Sequence, residues 1–211
     1  MSGTYTLFGS KGCGSVIVAA ALELTRLPYH YQEVDYHKPS PERDRLLQLN
    51  PLCQVPVLLL PDGTVMTESA AILVLLHLRW PLAGLIPSSA GGHLPAFLRW
   101  IMVINAQIYP SFTYGDKPEK WLPGASNAQL LTESTDGLRK KLWLQIEAEA
   151  DATGPWFFGE TFTALDIYIA VMHHWRPGPV WFAEYAPRLE AIAKNVARHP
   201  RLEALFKAHF G

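Results

Sequence analysis

Residues 50–58, Asn50-Pro51-Leu52-Cys53-Gln54-Val55-Pro56-Val57-Leu58, put a proline at the start of an apolar stretch with the character of a central strand. Proline cannot donate to a strand ladder, so it is unusual there unless the backbone has a special geometry. A cis peptide bond before Pro56 would expose the N–H and C=O of Val55, to which a peptide-like ligand could bind as an added strand. The alternative is a trans proline on an edge strand, which is the far commoner bond geometry.

The segments around this proline alternate between strand and helix patterns. Short β-prone runs predict strands at Tyr5–Phe8, Pro28–Val34, Val55–Leu60 and Thr64–Met66, and helix-prone runs predict helices at Val16–Thr25, Ser40–Leu49 and Ser69–Leu78. The order is therefore βαβ, a helix, then ββα. A parallel strand pair joined by a helix, followed by an antiparallel hairpin and a closing helix, is the thioredoxin-like arrangement, so we predict an α/β domain of this type over residues 1–80.

The chain changes character after residue 80. Residues 80–95 contain three prolines, three glycines and two serines, which indicates a linker over residues 81–95. Helical spacing then dominates, and helices are predicted at Phe97–Tyr109, Leu130–Ala152, Thr163–Trp175, Glu184–Lys194 and Arg201–Phe210. We therefore predict an all-helical domain over residues 96–211, with no strand after residue 95.

Composition excludes several classes of protein. Of 211 residues, 49% are apolar and 18% are charged, which favours a buried core over disorder. The formal net charge is -1 with no extended basic cluster, so a nucleic-acid partner is not expected. The longest apolar stretch, residues 70–78, is interrupted by His77 and falls short of the roughly 20 residues of a membrane helix, so no membrane partner is expected. Two cysteines cannot form a disulfide framework, and a cytoplasmic location is expected.

The turn at residues 9–15, Gly-Ser-Lys-Gly-Cys-Gly-Ser, lies between the first strand and the first helix. A helix start favours an anion, and a thiolate placed there is stabilised. Ser10, Cys13 and Ser15 are all within reach of such a site. The alternative is a Gly/Ser turn whose serines only cap the helix.

A second helix start carries Glu68 and Ser69. An acid that can accept an ammonium group, beside a small hydroxyl at a helix start that attracts a carboxylate, suits the head of an α-amino acid. A capping serine with a favourable first-turn acid is the alternative interpretation.

Taken in order, these motifs resemble the cytosolic glutathione transferase family, of the bacterial type with Ser or Cys in the thiol-activating turn. The matching stretches are residues 5–10 (YTLFGS), 21–29, 50–58 and 68–72 (ESAAI). In the second half, residues 156–167 (WFFGETFTALDI) are similar to the buried helix start of that family. There Thr163 would cap the helix and Asp166 would return a bond to its backbone.

The resemblance implies a role for each motif. Val55 and the cis-proline Pro56 would bind the cysteinyl backbone of glutathione, with Gln54 beside them. Glu68 and Ser69 would hold its γ-glutamyl head. His37 and Lys38 lie where some members hold the glycyl carboxylate, although an exposed basic loop is the alternative for this pair. Glutathione is expected as a cosubstrate, with no metal.

The residue that contacts the glutathione sulfur stays open between Ser10 and Cys13. Ser10 follows the Phe-Gly pair as in serine-type members, and Cys13 is nearest the helix start as in cysteine-type members. Cys53 stands where many members have glycine. Aromatic residues after the first long helix could wall an apolar cosubstrate pocket, or they could be plain core: Tyr109, Phe112, Tyr114 and Trp121.

Three functions follow from this resemblance. The first is a transferase in which glutathione thiolate attacks a small electrophile. The second is a thiol–disulfide exchanger or reductive lyase in which Cys13 is the nucleophile and the substrate is a small disulfide or electrophile. The third is a non-catalytic binding or scaffold protein, which need not keep a ligand-shaped site. The resemblance also implies a homodimer.

Overall fold

The computed structural model describes residues 3–211 and begins with a four-stranded mixed sheet. The strands are β1 (Tyr5–Gly9), β2 (Tyr29–Glu33), β3 (Val57–Leu59) and β4 (Val65–Met66), in the order β2-β1-β3-β4. β1 runs parallel to β2 and antiparallel to β3, with Leu7 opposite both Tyr31 and Leu58. β3 and β4 form the antiparallel hairpin. The thioredoxin-like prediction is confirmed.

Three helices complete this part: α1 (Ser15–Thr25), α2 (Pro41–Leu49) and α3 (Ser69–Arg79). Ser40 caps α2 as predicted, because its hydroxyl accepts from the N–H of Arg43 at 3.1 Å. The first two turns of α1 are buried on every side, since α1 packs against β1 and α3 and also against helices of the second half. Its start, which carries the Gly/Ser turn, therefore lies where the two halves meet.

The rest of the chain is helical. Its helices are α4 (Leu94–Val103), α5 (Tyr109–Gly115), α6 (Ala125–Glu149), α7 (Ala164–Met172), α8 (Pro179–Tyr185), α9 (Pro187–Ala197) and α10 (Glu203–Phe210). Single 3₁₀ turns lie at Pro81–Ala83 and Pro118–Lys120. Beyond residue 95, the described chain adds only isolated β-bridges within residues 156–161. None of the helices in residues 3–211 is long and apolar enough to cross a membrane.

Two helix predictions differ from the structure because of proline. The helix expected at Phe97–Tyr109 runs on to Gly115, through a π-helical segment at Ile104–Ile108 just before Pro110. Proline lacks the N–H that an ordinary helical bond needs, and a wider turn accommodates that loss. The helix expected at Glu184–Lys194 is two helices, because Pro187 disfavours a helical backbone at the residue before it and starts α9.

Helix α7 is the buried centre of the helical half. All of its residues are buried, and it packs against α9, α4 and α1. The predicted capping box is present: the Thr163 hydroxyl accepts from Leu165 N–H, and Asp166 accepts from Thr163 N–H at 2.7 Å. Asp166 also accepts from Phe157 N–H at 2.7 Å, and burial raises the pKa of its carboxyl to about 6. One continuous core therefore joins the sheet to the helices through α1 and α7.

Candidate active site

A cleft of about 930 Å³ lies between the sheet and the helical half. One wall is formed by the turn before α1, the loop before β3 and the start of α3. The other wall is formed by α5, the segment after it and the end of α7. The residues predicted for binding or catalysis that line the cleft are Cys13, Gln54, Val55, Pro56, Glu68, Ser69, Tyr109, Phe112 and Trp121. Three other residues predicted for the site do not line the cleft: Ser10, Lys38 and Tyr114.

The turn before α1 exposes Cys13 to the cleft. Gly12 has φ +68°, a conformation that glycine adopts without strain, and the Cys13 N–H donates to the carbonyl of Ser10 at 3.2 Å. The Ser15 hydroxyl accepts from the N–H of Ser10 at 3.1 Å and lies 3.2 Å from its carbonyl. The Ser15 side chain thus holds the turn together from within, and Cys13 lines the cleft whereas Ser10 does not.

Three side chains of the helical half hold this turn. The indole N–H of Trp175 donates to the Gly12 carbonyl at 2.8 Å, and Nδ1 of His209 accepts from the Gly12 N–H at 3.4 Å. The hydroxyl of Tyr109 lies so close to Gly14 that a Cβ there would be 2.2 Å from it. The position of Cys13 therefore depends on contacts with residues almost 200 positions away.

The Cys13 thiol has a side-chain partner that the sequence did not reveal. Its Sγ lies 3.5 Å from the hydroxyl of Tyr36, which is on the loop after β2. Burial, with Cys13 as the next largest cause, raises the pKa of Tyr36, so that this hydroxyl keeps its proton. Cys53 lies behind Tyr36, with its Sγ 4.0 Å from the Tyr36 carbonyl. No local pattern marks Tyr36, because only the sheet and the turn bring it to Cys13.

The loop before β3 presents backbone to the cleft. The Val55–Pro56 peptide bond is cis, the geometry that would expose the Val55 backbone. The Arg176–Pro177 bond is also cis, and the sequence analysis did not predict that one. Asn50 stabilises this loop, because its side-chain amide donates to the Gln54 carbonyl at 3.0 Å. The backbone of Val55 therefore lies along the cleft wall, in the position predicted for pairing with an extended ligand.

The start of α3 forms one end of the cleft. Glu68 adopts φ +61°, a strained value for a residue with a side chain, and lines the cleft together with Ser69. The Ser69 hydroxyl is buried and lies 2.6 Å from the hydroxyl of Tyr168 on α7, which also donates to Asn105 at 3.3 Å. Ser69 is therefore held in place by the helical half, with its hydroxyl donating to Tyr168.

The opposite wall is aromatic. The rings of Tyr109 and Phe112 both meet Trp175 edge to face, with centroids 5.5 and 5.3 Å apart. Trp121 continues this wall, and Tyr114 packs on the outer side of Trp121 at 4.8 Å. The buried guanidinium of Arg139 stacks on Phe112 with its carbon 3.8 Å from the ring centroid. This wall can hold a flat apolar group opposite Cys13.

Charged residues line the cleft mouth, and of the predicted pair His37 lies among them but Lys38 does not. Lys38 pairs with Asp35 at 3.1 Å, and its side chain is 82% exposed outside the cleft. His37 does line the cleft, where its Nδ1 lies 3.2 Å from the ammonium of Lys117 in the segment after α5. Arg176 also faces the cleft, but it is paired with Asp116 and Asp136. Within residues 3–211, no group of three acidic, His or Cys side chains is placed to hold a metal ion.

Comparisons with known proteins agree with this arrangement. Residues 15–77 match the family model described as glutathione S-transferase, N-terminal domain. The chain is 35% identical to the uncharacterized GST-like protein YncG of Escherichia coli K12, covering 95% of this chain and 96% of that protein. It is 28% identical to the glutathione S-transferase GstA of Escherichia coli O157:H7, covering 96% and 97%. A solved glutathione transferase homolog from Sulfitobacter with bound glutathione has a TM-score of 0.84 at 25% identity, covering 97% of each chain.

Replacing Gly14 with Ala tests the packing of the turn. Its backbone, φ -60° and ψ -14°, accepts any residue, so the effect should come from the new methyl meeting the Tyr109 hydroxyl. Overpacking of this kind costs roughly 1–3 kcal/mol in the free energy of unfolding, measured by urea denaturation. The matched control is Gly137→Ala in α6, where a Cβ meets nothing within 4 Å and a gain of up to about 1 kcal/mol is expected. Equal stabilities of the two variants would contradict this account.

Proposed function

This chain belongs to the glutathione transferase family, and we propose that it is a transferase that binds glutathione in the cleft beside Cys13 and joins its sulfur to a small electrophile. One observation carries the proposal: a cysteine at a helix start faces an aromatic wall, and an exposed backbone edge and the Glu68-Ser69 pair lie in the same cleft. The backbone edge and the Glu68-Ser69 pair suit a thiol tripeptide, and the aromatic wall suits an apolar molecule that reacts with the sulfur of that tripeptide.

We propose that glutathione lies extended along the first wall. Its γ-glutamyl head would meet Glu68 through the ammonium group and Ser69 through the carboxylate, at a helix start that favours negative charge. The cysteinyl backbone would pair with Val55 as an added strand. Support for the ligand comes from the Sulfitobacter homolog, which was solved with glutathione bound.

The glycyl end would then point toward His37. The ammonium of Lys117 lies 3.2 Å from Nδ1 of that ring, so the helical half supplies a cation at this end. Lys38, paired with Asp35 outside the cleft, is less suited to the carboxylate than the sequence suggested. In this orientation both halves of the protein would hold the tripeptide.

The chemistry of the proposal needs a persistent thiolate. Glutathione thiolate would form a C–S bond at the electrophilic carbon, and the leaving group would depart with its bonding electrons. The start of α1 stabilises negative charge on sulfur. The aromatic wall, with Phe112 and Trp175, would hold the apolar part of the electrophile opposite that sulfur.

Thiol–disulfide exchange through Cys13 is the second candidate, and the exposure of Cys13 in the cleft favours it. Cys13 thiolate would attack a glutathione mixed disulfide, forming a Cys13–glutathione disulfide and releasing the other sulfur as a thiolate that takes up a proton. A second glutathione thiolate would then release glutathione disulfide and restore Cys13. A purely scaffolding role is disfavoured by the cleft, since a scaffold has no need of an open ligand-shaped site.

We also propose a homodimer in the cytoplasm. Large apolar side chains are exposed one helical turn apart on α3 (Val74, Leu78) and on α4 (Leu98, Met102), with exposed fractions of 43–73%. An exposed apolar face of this kind marks an interaction surface, and a second copy of the chain would cover it by two-fold symmetry.

Ser69→Ala tests the glutathione site. Loss of a hydrogen bond to a charged group costs roughly 1.5–3 kcal/mol, so glutathione should bind about 10- to 100-fold more weakly in calorimetry. Ser40→Ala is the matched control, because Ser40 also stands at a helix start but away from the cleft. It should lower stability slightly and leave glutathione affinity unchanged. Equal affinities of Ser69→Ala and the unmodified protein would refute the assignment.

Cys13→Ala and Cys53→Ala separate the two candidate reactions. On a small glutathione mixed disulfide, Cys13→Ala should lose activity at least about 100-fold, because exchange requires the thiolate that it removes. Cys53→Ala should keep it, and mass spectrometry should find glutathione trapped on Cys13 alone. If Cys13→Ala keeps full exchange activity and the unmodified protein carries no glutathione adduct, Cys13 is not the nucleophile of the exchange reaction.

Ser10→Ala belongs in the same experiment, assayed on an aryl halide. If it loses more conjugation activity than Cys13→Ala does, the sulfur-contacting role returns to Ser10.

Leu78→Glu together with Met102→Glu tests the dimer. Charges on the apolar face should leave the fold intact and shift the protein from dimer to monomer at micromolar concentration in sedimentation experiments. Leu144→Glu, on the exposed side of α6, is the control and should not change the assembly. A monomeric unmodified protein at that concentration would be inconsistent with the proposal.

A further inference from the structure

Tyr36 is the side chain that contacts the reactive sulfur from the sheet side. The Tyr36 hydroxyl lies 3.5 Å from Cys13 Sγ. Within residues 3–211, Tyr36 is the one side chain that forms a hydrogen bond with that sulfur. Nothing in the sequence motifs assigns it a role. We propose that Tyr36 is a catalytic residue that donates a hydrogen bond to the Cys13 thiolate. This inference rests on the proposed chemistry at Cys13 and deepens it.

The position of the Tyr36 hydroxyl is set by its surroundings. The Tyr36 carbonyl accepts from Nε of Arg43 at 3.2 Å, which ties the loop to α2. The ring is half-buried against a small apolar cluster of Phe8, Val34, Leu46 and Val57. On its outer face it meets the His37 ring at 4.3 Å. A ring fixed at its backbone and on its apolar face keeps its hydroxyl aimed at one place, and the hydroxyl end lies at Cys13.

The hydroxyl is also in the right protonation state to donate. Burial and the neighbouring Cys13 raise the pKa of Tyr36, and Asp116 and Asp35 act in the same direction. The cation near its backbone, Arg43, bonds the carbonyl and not the hydroxyl. Tyr36 therefore stays neutral near neutral pH, and a neutral O–H beside a thiolate forms a charge-assisted bond, which is stronger than one to a neutral thiol.

Such a bond would stabilise the step in which the Cys13 sulfur regains its negative charge. In the second step of exchange, a glutathione thiolate attacks the Cys13–glutathione disulfide. A new S–S bond forms in glutathione disulfide, the old S–S bond breaks, and the electron pair of that bond leaves on Cys13 sulfur. A donor placed at that sulfur stabilises the charge as it develops, because the donor needs no reorganisation at that moment. The proton stays on Tyr36 throughout.

Tyr36→Phe tests the proposal, because it removes only the oxygen. The probe is iodoacetamide, and peptide mapping separates alkylation of Cys13 from that of Cys53. We expect the rate at Cys13 to fall about 10-fold at pH 7, as loss of a bond to a charged group predicts. The rate-against-pH curve should move to higher pH and meet that of the unmodified protein once the thiol is fully ionised. Tyr29→Phe, which loses a half-buried hydroxyl bond to Glu23 away from the cleft, is the matched control and should leave the curve unchanged.

An unchanged curve in Tyr36→Phe would overturn the proposal. So would a decrease by the same factor at every pH, since that is what a structural disturbance of the turn produces. The proposed function fails separately, if the unmodified protein neither binds glutathione nor turns over a mixed disulfide. The alkylation experiment uses neither ligand, so the two failures are distinguishable.

Discussion

The burial of helix α1 is the constraint on which the rest of this structure depends. Residues 15–22 have no exposed surface, because the sheet and α3 pack on one side and α7 and α10 on the other. Burying an apolar helix all round contributes a large share of the hydrophobic stabilisation. It also places the start of α1 at the junction of the two halves. The cleft opens beside that start, where Gly12, Cys13 and Gly14 line it.

Buried polar contacts then set how the halves meet. Ser69 bonds Tyr168 across the junction, and the Trp175 indole N–H donates to the Gly12 carbonyl. Each of these groups would cost roughly 1–3 kcal/mol if it were buried without a partner. Alternative packings of the helices on the sheet would break these bonds, so they select one arrangement more than they add stability. The same bonds hold the turn before α1 and the start of α3, so both walls of the candidate site are fixed before a ligand binds.

The cleft combines two chemical characters that belong to different halves. The sheet half supplies a backbone edge, an acid and hydroxyls, which suit a charged peptide. The helical half supplies Tyr109, Phe112 and Trp175, which suit a flat apolar molecule. Cys13 and Tyr36 lie where the two surfaces meet. A thiol held at such a boundary can be approached by a polar partner from one side and an apolar partner from the other.

The sequence by itself determined the features that depend on neighbours along the chain. The strand and helix order of the sheet half, the Ser40 cap and the Thr163–Asp166 capping box arise from residues a few positions apart, and all are present as predicted. The family resemblance implied that the motifs at Val55, Glu68 and Cys13 serve one ligand, and all three line the same cleft. The helix boundaries near Pro110 and Pro187 were predicted wrongly. At each proline a helix can either continue or stop, and packing and proline geometry decide which occurs.

Only the tertiary structure decided which side chains face one another across the cleft. Tyr36 reaches Cys13 because β2 pairs with β1, and Lys117 reaches His37 because the segment after α5 folds back over the sheet half. Ser10 and Lys38 had the right residue type at the right spacing, but the turn and a local ion pair hold them away from the ligand surface. Contacts of this kind join residues 20 to almost 200 positions apart. Their geometry is set by the packing of whole elements, and no local pattern of residues encodes it.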